Sequence, residues 1–354
     1  MKITMACYQA VSLIHGGPRV QILGTKKGLE RLGVEVKLFD PWGSPSQLQS
    51  DLVHLFSANV GTFHLARNIR TLSVPMVTSP IFFTQRSATS IRMALAADRT
   101  LKRIRPGIWT DYGFTEQICR WSRGVLPNTS DEARLVEKGL GIPPSKLSVV
   151  PNGVDAHFEF GDPLLFKKKF GIEKFILNVG HIGPARKNVL ALIRALRTID
   201  HPAVIIGKII GREGEECVRE ASTNKNICVI PGLENDSEML ASAYAASEVF
   251  VLPSLFETPG IAALEAGLAG AKIVITPYGG TKDYFGPMAR YVDPHSVEAI
   301  RSGIVSALNE NRTSSLQHHI KKEFLWDNVA ERTLAVYKYI LSQSHHDAPT
   351  NLNH

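Results

Sequence analysis

Short apolar runs alternate with longer stretches whose apolar positions recur at helical spacing, from one end of the chain to the other. Brief apolar runs bounded by turn residues read as buried strands. Their alternation with amphipathic stretches implies parallel sheets joined by crossover helices. In the first half the strand candidates are ITMACY, VEVKLF, LVHLFS, PMVTSP, GVLPNT and LSVVPN. Between the first two lies VQILGTKKGLERLG, an amphipathic helix stopped by Gly33. Ser130 is expected as the N-cap of a helix reaching about Gly139, with Asp131 and Glu132 in its acidic first turn. Residues 152–172 are rich in Gly, Pro and charge and have no steady period, so they read as a connection between domains. The pattern then restarts with FILNVG, a helix from Asn188 to about Arg197, then AVIIGKI, ICVIPG, VFVLPS, KIVITP and RYVDP. A last long helix is expected near Trp326 to Leu341, followed by a polar tail.

The expected fold class is therefore α/β, with two Rossmann-like, doubly wound parallel-sheet domains. A length of 354 residues suits two such domains. Composition adds mainly exclusions. Cys7, Cys119, Cys217 and Cys228 are scattered, with no CxxC and no His at metal spacing, which argues against a disulfide framework or a zinc site. His345 and His346 read as solvent-exposed tail residues rather than ligands. No apolar run reaches the roughly 18 residues of a membrane span. The start, MKITMACYQAVSLIHGG, reads as a first buried strand ending in a Gly loop rather than a secretory signal, since Gln9 and His15 break its apolar core. A net charge of +7 permits anionic partners, or is simply a basic surface.

Candidate chemistry concentrates in residues 249–280. A strand ends in a loop and a helix is expected to begin near Pro259, because proline at the first turn lacks an N–H that has no intrahelical partner anyway. The N–H groups of Gly260, Ile261 and Ala262 would then point out of the helix start as a phosphate site. Glu257 precedes that helix and suits sugar hydroxyls. Glu265 follows eight residues later and suits both ribose hydroxyls. The plainer alternative makes Glu257 an acidic helix-start residue and Glu265 a solvated one. Yet Glu265 stands among Ala262, Ala263, Leu264, Ala266 and Leu268, where a carboxylate needs a partner.

Here the chain resembles the retaining family-4 glycosyltransferases of GT-B architecture. The resemblance rests on Glu257-Thr258-Pro259-Gly260 followed by Leu264-Glu265-Ala266, on GGPRVQILGTKKGLERLG, LSVVPNGVD and NVGHIGPARKN, and on the GGTKDYFG and YVDP segments. It implies two domains facing a cleft. Residues 1–155 would form the acceptor-side domain, with a helix at about 328–343 packing back on it. Residues 156–327 would bind the nucleotide-sugar donor, and residues 344–354 would be a flexible tail. It further implies catalytic roles for Lys187, Glu257 and His181. Donor contacts would come from Gly16, Gly17, Arg186, Lys187, Glu257, Gly260, Ile261, Ala262 and Glu265.

Three departures stand out. The family usually has Gly-Phe where Thr258 and Pro259 stand. An Arg normally occupies the place of His181, whose neutral imidazole lacks the fixed charge and fork of Arg; Arg186 is a candidate replacement for that charge. A His common after the fourth strand is replaced by Pro80. Asp283 matches a family Glu, with a structural or a ligand role. His54 reads as a packed strand residue.

The implied reaction moves a hexose-type sugar from a nucleotide-diphosphate sugar to a saccharide or lipid-linked acceptor with retention of configuration. It implies no metal and no other cofactor, and a place in cell-surface polysaccharide or glycolipid synthesis. Residues 86–123 hold eight Lys/Arg against three acids, interleaved with apolar side chains. That suits either a contact with an anionic membrane surface or a solvated basic helix. The expected location is cytoplasmic, with a peripheral membrane site as an option. The alternative, motivated by His181 and Pro80, is a non-catalytic nucleotide-sugar binding or scaffold protein of the same fold. An epimerase lacks its acid–base pair here, and no nucleic-acid motif is present.

Overall fold

The computed structural model describes residues 1–13, 16–72, 74–104 and 110–346. The chain divides into two compact units: Met1–Gly153 with the stretch from Trp326 onward, and Val154–Leu325.

The first unit is built on a five-stranded parallel sheet. Its strands are β1 (Lys2–Ala6), β2 (Glu35–Leu38), β3 (Leu52–Phe56), β4 (Met76–Ser79) and β5 (Gly124–Val125), in spatial order β2-β1-β3-β4-β5. All five residues of β3 are buried, as expected of a central strand covered on both faces. On one face the Gly17–Arg31 helix packs against the long Trp326–His346 helix. A Cβ at Gly24 would stand 2.1 Å from the Trp326 ring, so only glycine lets the two helices approach this closely.

The second unit holds a six-stranded parallel sheet. Its strands are β6 (Phe175–Val179), β7 (Ala203–Ile206), β8 (Ile227–Ile230), β9 (Ser247–Leu252), β10 (Lys272–Ile275) and β11 (Arg290–Tyr291), in order β11-β10-β9-β6-β7-β8. Counted from β6, this is the dinucleotide-fold order, with the direction of winding reversing between β6 and β9. Its core joins aromatic side chains, among them Phe158, Phe166, Phe175, Tyr244 and Phe250, to the aliphatic face of the sheet.

The structure departs from the sequence expectations at four places. LSVVPN is not a strand: Leu147 makes a single bridge to Val125, and Val150 donates to Pro127. Its neighbour β5 is only two residues long, and Pro151 cannot donate to a ladder. Residues 152–172 are not irregular throughout. A 3-10 turn at Ala156–Phe160 precedes an α-helix at Pro163–Phe170, which seats Phe166 in the core. Asp162 caps that helix through the Leu164 N–H, Pro163 opens it and left-handed Gly171 closes it, so its punctuation is complete despite its polar composition. The cap of the next helix of interest is Thr129, not Ser130; its hydroxyl accepts from the Glu132 N–H. Finally, the helix expected near Pro259 runs Ile261–Leu268, with Gly260 as N-cap at φ +73°. Pro259 therefore lies outside it, because the left-handed turn at Gly260 redirects the chain only after the proline. Residues 347–354 of the tail, and the side chains of His345 and His346, lie outside the described residues.

Candidate active site

In a sheet wound this way, ligands sit outside the carboxyl ends of the strands, at the reversal. The loops after β6 and β9 meet there. After β6 the chain turns through Gly180–Gly183, makes a short 3-10 turn at Ala185–Lys187, and enters the Val189–Leu196 helix through Asn188 at φ +56°. The Asn188 amide donates to Pro253 O at 3.0 Å and to Pro294 O at 2.7 Å, and the Leu255 N–H donates to Arg186 O at 2.8 Å. These bonds tie the β6 loop to the β9 loop.

That tie brings Lys187, Arg186 and Glu257 together. Lys187 Nζ lies 2.6 Å from Glu257 Oε1 and an Arg186 Nη lies 3.2 Å from it, while Ser254 Oγ donates to the same oxygen at 2.7 Å. Arg186 also donates to Phe256 O and lies over the Phe256 ring. The Glu257 side chain is 7% exposed. Burial alone would raise its pKa. The charges of Lys187 and Arg186, with hydrogen bonds from Lys187 and Ser254, outweigh burial and hold the carboxyl below its usual value. Two cations share one carboxylate, so the cluster retains a positive excess.

Glu257 is further fixed by its own backbone. Its N–H donates to Tyr278 O at 3.1 Å and its carbonyl accepts from Gly280 N–H at 3.0 Å. Beyond it, the first intrahelical bonds run from Ala263 and Leu264 to Gly260 O, so the N–H groups of Gly260, Ile261 and Ala262 precede them at the helix start. Glu265 lies on that helix at 3% exposure. Its two oxygens accept from Asn235 Nδ2 at 3.0 Å and from Tyr244 Oη at 2.6 Å. Burial pushes Glu265 up to about 7 against the lowering effect of those two bonds.

His181 is half-buried beside Ile182, whose N–H donates to Lys208 O across to the loop after β7. In the first unit, β1 is followed by a 3-10 turn at Gln9–Ser12, and extended Gly16 then caps the Gly17–Arg31 helix, its carbonyl accepting from the Arg19 and Val20 N–H groups. His15 lies outside the described residues. His54 is fully buried, held between Tyr337 Oη at 2.5 Å and Ser79 Oγ at 2.9 Å, and burial lowers its pKa to about 3. Asp283 is exposed in the first turn of the Thr281–Phe285 helix. Among the described residues no group of three or more His, Cys, Asp or Glu could hold a metal ion.

Sequence reasoning did not find Asn188, Ser254, Asn235 or Tyr244. An Asn directly after the Lys, where a helix must start, is the one signal that pointed to a left-handed residue.

Comparison with known proteins agrees with this arrangement. The family model for glycosyl transferases group 1 matches residues 165–324, and that for glycosyltransferase family 4 matches residues 46–158. The chain belongs to the family-4 glycosyltransferases. The chain is 29% identical over 215 residues to an uncharacterized glycosyltransferase of Methanocaldococcus jannaschii, covering 55% of each chain. It is 28% identical over 246 residues to a D-inositol 3-phosphate glycosyltransferase of Geodermatophilus obscurus, covering 63% of this chain and 54% of that one. The chain thus spans about half the length of these curated relatives. Its fold is that of the GT-B glycosyltransferases. A sucrose-phosphate synthase from Thermosynechococcus elongatus superposes with a TM-score of 0.75 over 97% of this chain and 100% of that one, at 15% identity.

The basic stretch 86–123 is partly neutralised within itself. Arg99 pairs with Glu116 at 2.5 Å, Arg120 with Glu116 at 3.0 Å, and Lys102 with buried Asp98 at 2.5 Å. Met93 and Leu101 remain exposed on the Ala88–Ile104 helix, and residues 105–109 lie outside the described residues. Among the described residues no helix is long and apolar enough to cross a membrane.

Proposed function

We propose that this glycosyltransferase moves a hexose-type sugar from a nucleotide-diphosphate sugar to a saccharide or lipid-linked acceptor, with retention of configuration. The observation that carries this is the Lys187–Glu257–Arg186 cluster beside the Gly260–Ala262 amides, at the winding reversal of the second sheet. As the bond from the sugar to the diphosphate breaks, charge grows on the leaving phosphate. Lys187, Arg186 and the three amides are placed to stabilise it, which lowers the barrier because the donors are already oriented. His181, next to the same loop, would donate a hydrogen bond to phosphate. Once phosphate takes over Lys187, Glu257 is released from its short ion pair to accept from sugar hydroxyls. Glu265, oriented by Tyr244 and Asn235, would accept from the ribose.

This neutralisation requires no metal ion. Solved neighbours of the same fold in complex with UDP and glucose, and with ADP and acarbose, support a donor of the nucleotide-sugar kind, and the mixed basic and apolar surface of the Ala88–Ile104 helix supports an acceptor at an anionic membrane surface. A cytoplasmic location, with the inner face of the membrane as an option, and a role in cell-surface polysaccharide or glycolipid synthesis fit this reading. Thermal shift against a panel of nucleotide diphosphates and nucleotide sugars, with and without EDTA, tests the reading. A rise for one base that EDTA leaves unchanged is expected. No rise with any nucleotide would overturn donor binding, and binding without hydrolysis or transfer would favour a scaffold role.

A further inference from the structure

The turn after β10 carries a tyrosine to the flank of Glu257. Thr276 follows the strand; its Oγ1 accepts from the Tyr278 N–H at 3.3 Å and its carbonyl accepts from Thr281 Oγ1 at 2.8 Å. These bonds fold the chain back through Gly279, which stands at φ +91°. A Cβ on Gly279 would lie 2.0 Å from Glu257 O, so only glycine lets the turn press against the Glu257 backbone. A parallel bridge joins the two residues. On either side of it, Tyr278 O accepts from the Glu257 N–H and the Gly280 N–H donates to Glu257 O. Tyr278 is thus fixed next to the carboxylate residue of the candidate site.

Its ring is left in the open. In the same unit Tyr244 and Tyr284 are fully buried, whereas Tyr278 is 47% exposed. The exposed His295 ring lies beside it, with 6.5 Å between centroids and 52° between planes. His295 comes from the turn after β11, where its N–H donates to Asp293 Oδ1 at 3.0 Å. The preceding residue, Pro294, accepts from the side chain of Asn188, which follows Lys187. Both rings therefore stand on turns bonded to the charged cluster, one through Glu257 and the other through Asn188. A hexose offers a face of C–H bonds and an edge of hydroxyls. The C–H bonds are weakly positive and meet the negative face of an aromatic ring, whereas the hydroxyls need polar partners such as a carboxylate. Tyr278 and Glu257 supply one of each.

We propose that Tyr278, beside His295, selects the donor hexose: its ring takes the C–H face of the sugar while Glu257 accepts from the hydroxyls. This rests on Lys187, Arg186 and Glu257 forming the donor site. The base and the phosphates make no use of Tyr278, so its effect is confined to the sugar. An epimer whose axial hydroxyl falls on the stacked face is disfavoured, because that hydroxyl holds the two rings apart and loses its own hydration.

Isothermal titration calorimetry on the full chain with matched pairs tests this: UDP and UDP-glucose, GDP and GDP-mannose, ADP and ADP-glucose. On the pair that binds, Tyr278→Ala weakens the nucleotide hexose about five- to tenfold and leaves the bare diphosphate within about twofold. Tyr278→Phe, which keeps the ring, recovers most of the hexose affinity lost in Tyr278→Ala. Lys187→Ala weakens both members of the pair. The proposal is overturned if Tyr278→Ala leaves the hexose unchanged, or weakens the diphosphate as much as the hexose, which is the mark of a purely structural turn. It is also overturned if Tyr278→Phe loses as much as Tyr278→Ala, or if wild type binds a diphosphate but not its matched hexose. No diphosphate binding in wild type, or undiminished diphosphate binding in Lys187→Ala, overturns the donor-site reading itself and this proposal with it, so the two failures are told apart.

Discussion

The two sheets reverse their winding at equivalent places, between β1 and β3 in the first unit and between β6 and β9 in the second. At the first reversal the groups that follow the strands are Gly16, Gly17 and Ser57, the last in a left-handed turn at φ +68°. The polar groups nearby are kept neutral. Burial pushes the Cys7 thiol up to about 11 and lowers His54 to about 3. At the second reversal Lys187 and Arg186 both pair with Glu257, whose carboxyl is held below its usual range. The topology supplies a crevice in both cases, but the side chains decide what it can hold. A neutral, glycine-lined crevice suits backbone contact and hydroxyls, whereas the charged one suits a diphosphate.

The strongest test of this contrast is Lys187→Ala. Loss of its charge is expected to cut turnover about 100-fold, in line with the loss of one preorganised donor to a developing anion. A rate and donor affinity within twofold of wild type would remove the distinction between the two crevices. A further test is Tyr337→Phe in the first unit. It leaves His54 Nδ1 buried without its partner and should cost about 1–3 kcal/mol in denaturant unfolding. Activity per folded molecule should hold, and a larger loss of activity than of stability would show that the neutral network serves the reaction.

A pH experiment compares the carboxylates. Glu265 sits at about 7 in the folded chain against 4.5 unfolded, so the native state holds the proton more tightly. Its contribution to stability is full below pH 4.5 and is lost as pH rises through 7. The unfolding free energy of wild type relative to Glu265→Gln should therefore fall by about 3 kcal/mol between pH 4.5 and 7.5. A constant difference across that window would show that Glu265 is ordinarily ionised. The smallest effect is expected from Arg186→Lys. The residue is part-exposed and loses its bond to Phe256 O and its place over the ring, which should weaken donor binding only a few-fold, about 0.5–1 kcal/mol.

Much of this architecture is legible in the chain. Eleven of the twelve apolar runs contain strands: the central ones, such as β3, are buried throughout and so apolar throughout, whereas the edge strand β2 buries only Val36 and was legible from its alternation. LSVVPN fails for a reason outside its own composition: β5 is too short to pair along it. The Pro163–Phe170 helix is hidden the other way, since three lysines mask a single buried phenylalanine, and its caps carried the only signal.

The candidate site divides along the same line. Residue types and spacing pointed to Glu257, Gly260 and Glu265, because phosphate and hydroxyl chemistry needs particular groups at helix starts and these are local; Lys187 entered only through the resemblance to the family-4 glycosyltransferases. Only the tertiary structure decided which charges meet. Lys187 and Glu257 are 70 residues apart and lie 2.6 Å from each other because Asn188 bridges two loops. Tyr244 and Asn235 reach Glu265 from two different segments. Whether a carboxyl is held below or above its ordinary range depends on burial and on partners distant in sequence, and neither is a property of the residues beside it.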